Sequence, residues 1–169
     1  MFEVGDVLVY TDGKIYEIVD LVERDFGVGI QQYYQLKQNS MYKDEKNTMV
    51  FTPVSRAERD CRSLMSRNEV IELIDSYHSI EPIWISDSKQ RKVVFSEYAH
   101  SKDPKQILKL FKSLLKRHEE LRDTNKSLTF TDKKLMEKVK TDFIVEFSLV
   151  LNLSFDEVVE YVTNRLSRK

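Results

Sequence analysis

The period of the apolar residues changes once along this chain, near residue 60, and that change limits the folds open to it. Side chains alternate across a strand with a period of two and return to one face of a helix every 3.6 residues, so the two patterns exclude each other locally. Before the change the sequence reads as short strands. Residues 6–10 (DVLVY) are a β-rich run ended by the turn pair Asp12-Gly13. Residues 14–24 (KIYEIVDLVER) alternate imperfectly, Ile15, Glu17 and Val19 against Tyr16, Ile18 and Leu21, and Gly27 and Gly29 punctuate the stretch after them. Residues 30–38 (IQQYYQLKQ) predict a third strand around Tyr33, Tyr34 and Leu36. Residues 39–47 (NSMYKDEKN) read as a polar hairpin loop, and residues 48–53 (TMVFTP) as a fourth strand closed by Pro53. Four or five short strands in about 55 residues predict a small antiparallel β-barrel.

After Pro53 the spacing becomes helical. Ser66 followed three residues on by Glu69 has the spacing of a capping box, and Val70, Ile71, Leu73, Ile74 and Tyr77 continue as an apolar stripe. Asp103-Pro104 places a cap before a proline at the first helical position. Ile107, Leu108, Phe111, Leu114, Leu115 and Leu121 then recur at helical spacing, until residues 123–127 (DTNKS) end the pattern. Thr131 is the expected cap of the next helix, which buries Leu135, Met136, Val139, Phe143, Ile144 and Phe147. Ser154 and Glu157 form a second capping box ahead of Val158, Val159, Tyr161, Val162 and Leu166. The expected class is α+β: a barrel over residues 1–60, then an all-α domain of four to five helices over residues 61–169.

Several function classes drop out. Hydrophobic residues make up 41% and charged residues 33%, as in a soluble folded chain. No apolar run approaches the ~20 residues of a membrane span. The start of the chain lacks a basic n-region and carries Glu3 and Asp6, so no signal peptide is expected. The single cysteine, Cys61, excludes an internal disulfide and fits a cytoplasmic protein. Asp60 beside it disfavours a thiolate nucleophile, which leaves a structural thiol. His78, His100 and His118 are scattered, with His118 on the apolar side of its helix as a packing histidine. Glu119 and Glu120 fall on a solvated helix face. No phosphate loop, dinucleotide turn or serine elbow is present. Neither an enzyme, a catalytic residue, a metal, a cofactor nor a small-molecule ligand is expected.

Charge is distributed unevenly. The net charge is −1, yet residues 1–60 hold 7 Lys/Arg against 11 Asp/Glu, and residues 89–140 hold 15 against 7. Lys105, Lys109, Lys112 and Lys116 are spaced four, three and four apart, which predicts one stripe along a helix, away from its leucines. Arg117 and Arg122 extend it, and Lys133, Lys134, Lys138 and Lys140 continue on the next helix. Such a stripe either follows a phosphate backbone without reading sequence or merely solvates the helix. The only tryptophan, Trp84, sits in residues 81–92 (EPIWISDSKQRK), a segment without clean period that ends in Lys89, Arg91 and Lys92. It reads either as an exposed stacking wedge or as a pin that holds a linker to the helical core.

Residues 2–10 (FEVGDVLVY), 32–37 (QYYQLK), 48–53 (TMVFTP) and 61–70 (CRSLMSRNEV) resemble, in that order, the CarD/CdnL family of bacterial transcription regulators. The resemblance continues through the tryptophan-bearing linker, residues 101–114 (SKDPKQILKLFKSL) and residues 128–151 (LTFTDKKLMEKVKTDFIVEFSLVL), so it covers nearly the whole chain. It implies a Tudor-like RNA-polymerase-interacting domain over residues 1–60, related to a module of the transcription-repair coupling factor. That domain would dock on the polymerase β subunit by strand-to-strand contact, with Arg24, Val50 and Phe51 at the contact. The helical domain over residues 61–169 would meet promoter DNA at the upstream edge of the melted region. There Trp84 would be the wedge, and Lys89, Arg91, Lys92, Lys105, Lys109, Lys112 and Lys116 would bind DNA weakly and without sequence preference. The chain departs from the family at residues 10–14 (YTDGK), at Phe51 in place of a second arginine, and at residues 85–88 (ISDS), which interrupt the basic run after the tryptophan. Two alternatives remain: a polymerase-binding adaptor without DNA contact, and a helical interaction module whose lysines only confer solubility.

Overall fold

The computed structural model describes residues 1–39 and 49–168; the loop expected at residues 39–47 lies, apart from Asn39, outside the described residues, as does Thr48. The chain forms two compact units, Met1–Leu64 and Met65–Lys169.

The first unit is built on β1 (Val7–Tyr10), β2 (Ile15–Asp25), β3 (Ile30–Gln38), β4 (Met49–Pro53), α1 (Val54–Asp60) and β5 (Cys61–Ser63). All pairings are antiparallel and the order is β4-β3-β2-β1-β5. The sheet is therefore open, with β4 and β5 as its outer strands, and not the closed barrel expected from the strand count. The short helix α1 explains the difference. Its Ala57 is fully buried with Leu8, Tyr16, Ile18, Tyr34, Leu36 and Cys61, so a helix covers the face that a barrel would cover by curling. The unit also extends past residue 60, because Cys61, Arg62 and Ser63 pair with Tyr10, Val9 and Leu8.

Two local features shape β2 and β3. The register shifts between Ile18 and Asp20, leaving Val19 as a bulge residue, which is why the alternation of residues 14–24 is imperfect. At the hairpin tip the Asp25 carboxylate accepts hydrogen bonds from the amides of Gly27 (2.7 Å) and Gly29 (3.1 Å). Both glycines have positive φ, 91° and 88°, where a side chain would be strained.

The second unit contains α2 (Arg67–Asp75), a 3-10 turn (Ser76–Ser79), α3 (Ser88–Ala99), α4 (Pro104–Asp123), α5 (Phe130–Leu151) and α6 (Phe155–Leu166). Ser66 and Ser154 each make both halves of a capping box, and Asp103 caps α4 ahead of Pro104. The cap of α5 is Thr129 and not Thr131: its hydroxyl accepts from the Asp132 amide and donates to the Asp132 carboxylate at 2.7 Å. Helix α3 runs against expectation, since residues 81–92 carry no clean apolar period. The Asp87 carboxylate starts it by accepting from the Gln90 amide, and only Arg91, Phe95 and Ala99 of its residues are buried.

Val70, Leu110, Leu114, Val139 and Val158 are fully or almost fully buried in one apolar cluster formed by α2 to α6. Each such aliphatic side chain contributes roughly 1.5–3 kcal/mol. Glu146 is buried on α5 and accepts a hydrogen bond from the Met65 amide at 3.0 Å, which fastens the chain where the unit begins. Among the described residues no helix is long and apolar enough to cross a membrane.

Candidate functional site

In the first unit the cross-strand pairs decide which expected contact residues share a surface. Val22 lies opposite Tyr33, Arg24 opposite Gln31, and Phe51 opposite Gln35. Residues two apart face the same side of a strand. Arg24, Tyr33, Gln35 and Phe51 therefore lie on one face. Val50 lies opposite Leu36 and packs from the other face against the core, so it is a core neighbour and not part of the same surface as Arg24 and Phe51. The Phe26 ring folds onto the shared face, edge-on to Tyr33 with centroids 4.9 Å apart and tilted against Phe51 at 5.7 Å. Phe26, Val28, Ile30, Met49 and Phe51 are exposed, and Tyr33 is buried beneath Phe26. Sequence reasoning misses Phe26, because it sits in the glycine-flanked turn where no period operates.

In the second unit Trp84 is half-buried and packs against the helical core. The Arg91 guanidinium lies 4.5 Å from its ring centroid and that of Arg117 5.2 Å away, while Phe95 meets it at 6.0 Å with planes at 69°. With two guanidinium groups and an aromatic edge against its ring, Trp84 packs its linker onto the helical core while part of the ring stays in solvent. Arg91, expected among the DNA-facing cations, is committed to partners inside the helical unit. It is 6% exposed, binds Asp132 through Nε (3.3 Å) and Nη2 (3.0 Å), and donates through Nη1 to the carbonyls of Ile85 (2.7 Å) and Ser86 (3.2 Å). A buried charge needs this degree of pairing, and little donor capacity remains for phosphate.

The lysine stripe is likewise divided. Lys105 and Lys116 are exposed, Lys109 and Lys112 half-buried. Lys112 Nζ donates to the carbonyls of Tyr77 (2.6 Å), His78 (3.3 Å) and Ile80 (2.7 Å), which occupies all three of its protons. Its neighbour Ser113 accepts from the Ile83 amide at 2.9 Å. This side of α4 thus carries the segment between α2 and α3, whose polar backbone has few helical partners of its own. The four lysines do lie on one helix, but the face they share is partly covered and not wholly solvent-facing. Lys89 and Lys92 are exposed in the first turns of α3.

Of the basic residues singled out in the sequence, Lys89, Lys92, Lys105, Lys116 and Arg122 are exposed, as are Lys133, Lys134 and Lys140 along α5. Lys138 is paired with Asp142 at 2.7 Å and Arg117 with Glu120 at 3.1 Å. The structure adds one side chain absent from the expected set. Phe130, the first residue of α5, is 82% exposed close in sequence to Lys133 and Lys134. It falls out of phase with the buried stripe of Met136, Val139 and Phe143, a signal that was present in the sequence. His118 is half-buried and its Nδ1 is shielded from solvent. Cys61 is buried. Among the described residues no group of three or more His, Cys, Asp and Glu side chains could hold a metal ion.

Comparison with protein-family models and with curated proteins gives no match to this chain.

Proposed function

We propose that this protein is a non-enzymatic transcription regulator that works in the cytoplasm of a bacterium. It docks on the RNA polymerase β subunit through its five-stranded sheet, which we read as Tudor-like. Its helical unit lies against promoter DNA near the upstream edge of the transcription bubble and modulates open-complex stability. One observation carries the docking. β4 is an outer strand, pairing with β3 alone among the described residues, and Phe51 on it shares an exposed face with Arg24 and the Phe26 ring. An outer strand offers main-chain donors and acceptors to a partner strand, and flanking side chains supply the selectivity.

The DNA contact rests on Lys89, Lys92, Lys105 and Lys116, point charges that position a duplex without reading it. Trp84 serves this contact indirectly, by holding the linker from which α3 and its lysines emerge. The adaptor reading, in which the helical unit makes no DNA contact, is favoured by one finding: Arg91 and Lys112 spend their donors internally.

Capture of the protein by a β-subunit fragment tests the docking. Arg24→Glu and Phe51→Glu should each abolish capture while the helical unit keeps its melting transition; capture unchanged by both rules out this face. Duplex binding that vanishes even at low salt, with capture intact, selects the adaptor.

A further inference from the structure

We infer that the helical unit holds a binding site for a small anionic amphiphile, a single acyl chain or ring bearing one carboxylate, in the pocket between α2, α4, α5 and α6. This goes beyond the regulatory reading and does not depend on it. The pocket measures about 220 Å³. It opens to solvent on one side, so an apolar body lying in it would displace water from apolar walls. Its walls include Ile74, Phe143, Ile144, Phe147, Val158 and Val162, and water inside would find almost no hydrogen-bonding partners.

Lys140 gives the pocket its polarity. It lies on α5 three, four and seven residues before Phe143, Ile144 and Phe147, so it shares the face that lines the pocket. It is exposed and makes no ion pair or hydrogen bond among the described residues, whereas Lys138 two residues away is paired with Asp142. A lysine stem can lie along an apolar wall and keep its ammonium in water. Two neutral polar side chains also line the pocket: Thr163, whose hydroxyl already donates to the Val159 carbonyl at 2.7 Å, and Tyr77, whose ring lies under the Lys112 ammonium at 4.8 Å. An apolar space with one unpaired cation at its mouth is complementary to an apolar body with one anionic end. A neutral molecule would leave the ammonium unused, and a cationic one would oppose it.

Calorimetric titration of the whole chain with octanoate, octanol and octylamine tests the assignment, with shifts of the pocket methyl resonances as a second readout. Octanoate should bind saturably at one site, and octylamine at least about fivefold more weakly. Lys140→Gln, a surface change that leaves the fold intact, should weaken octanoate about three- to fivefold, the worth of an exposed ion pair, and leave octanol unchanged. Val162→Phe should block all three by filling the space, and its melting curve shows whether it is folded. No saturable octanoate binding at millimolar concentration overturns the proposal, as does equal binding of octanoate by Lys140→Gln. Sedimentation showing a dimer that octanoate leaves intact and Ile144→Glu dissolves would assign the pocket to a self-interface instead, and would equally overturn it.

Discussion

Replacing Trp84 by alanine separates a pin from a wedge. A buried tryptophan cut to alanine costs about 3–5 kcal/mol. Trp84 is half-buried, so its packing share is roughly half of that. Arg91 and Arg117 lie 4.5 and 5.2 Å from the ring centroid, and each such contact is worth about 0.5–1 kcal/mol at a partly exposed site. The edge contact with Phe95 at 6.0 Å adds ~0.5–1.5 kcal/mol. These contributions overlap, and a total of roughly 2–4 kcal/mol is expected. For a unit of about a hundred residues, each kcal/mol moves the melting temperature by about 4 °C. Trp84→Ala should therefore lower the transition of the helical unit by roughly 8–16 °C, followed by circular dichroism. Phe130→Ala, at a side chain almost fully in solvent, should move it by under about 2 °C. Trp84→Phe should recover part of the loss. If Trp84→Ala melts within about 2 °C of the parent, the ring is not structural, and the linker is held by the hydrogen bonds of Lys112, Ser113 and Arg91.

Asp132→Asn leaves the buried Arg91 cation without its counter-charge and should cost about 3–5 kcal/mol in urea unfolding, where a loss below about 1 kcal/mol would contradict the pairing. Hydrogen bonds from Arg59 and then Arg56 hold the Asp60 carboxyl well below its ordinary 3.8. Its folded-state pKa is depressed, so its contribution to stability is present above that ordinary value and is lost as pH falls below it. Replacing Arg56 and Arg59 by glutamine should raise the Asp60 titration measured by NMR and start acid unfolding of the first unit at a higher pH. Lys105→Gln with Lys116→Gln should lower the slope of log K against log salt for duplex DNA by roughly 2, scrambled and promoter sequences alike. Lys112→Met should leave that slope unchanged and speed amide exchange at Ile83, because it strips a donor from three carbonyls of the adjoining segment.

Periodic segments were legible, and so were their starts. The strand at residues 30–38 and the helices begun by Ser66, Asp103 and Ser154 arise from local chemistry that needs no tertiary partner. What eluded sequence reading depends on contacts distant in sequence. α3 has no clean apolar face, since Val93 is exposed while Phe95 and Ala99 are buried, and its place comes from Phe95 in the core and Arg91 on Asp132, 41 residues away. Arg91 reads as a surface cation until that partner is known, and Lys112 until Tyr77, His78 and Ile80 are placed beside it. Val19 hides in the same way: a bulge breaks the alternation, so plain counting from Tyr16 puts Arg24 on the face covered by α1, whereas the ladder puts it with Tyr33 and Phe51. The open sheet was missed because α1 is only 7 residues long and carries one buried residue, too little for a period.

The grip of α4 on the segment before α3 also sets an order of events during folding. Lys112, Ser113 and Arg117 supply the donors, the acceptor and one of the cations that hold residues 77–84, and all three belong to a later stretch of chain. The linker cannot settle when it is made. At ~5–20 residues per second, the roughly thirty residues from Trp84 to Arg117 take a few seconds to synthesise, and for that time the only tryptophan has no finished site. Its environment should thus change late, together with completion of α4 and not with that of α2, and refolding followed by tryptophan fluorescence should lag behind the gain of helix signal.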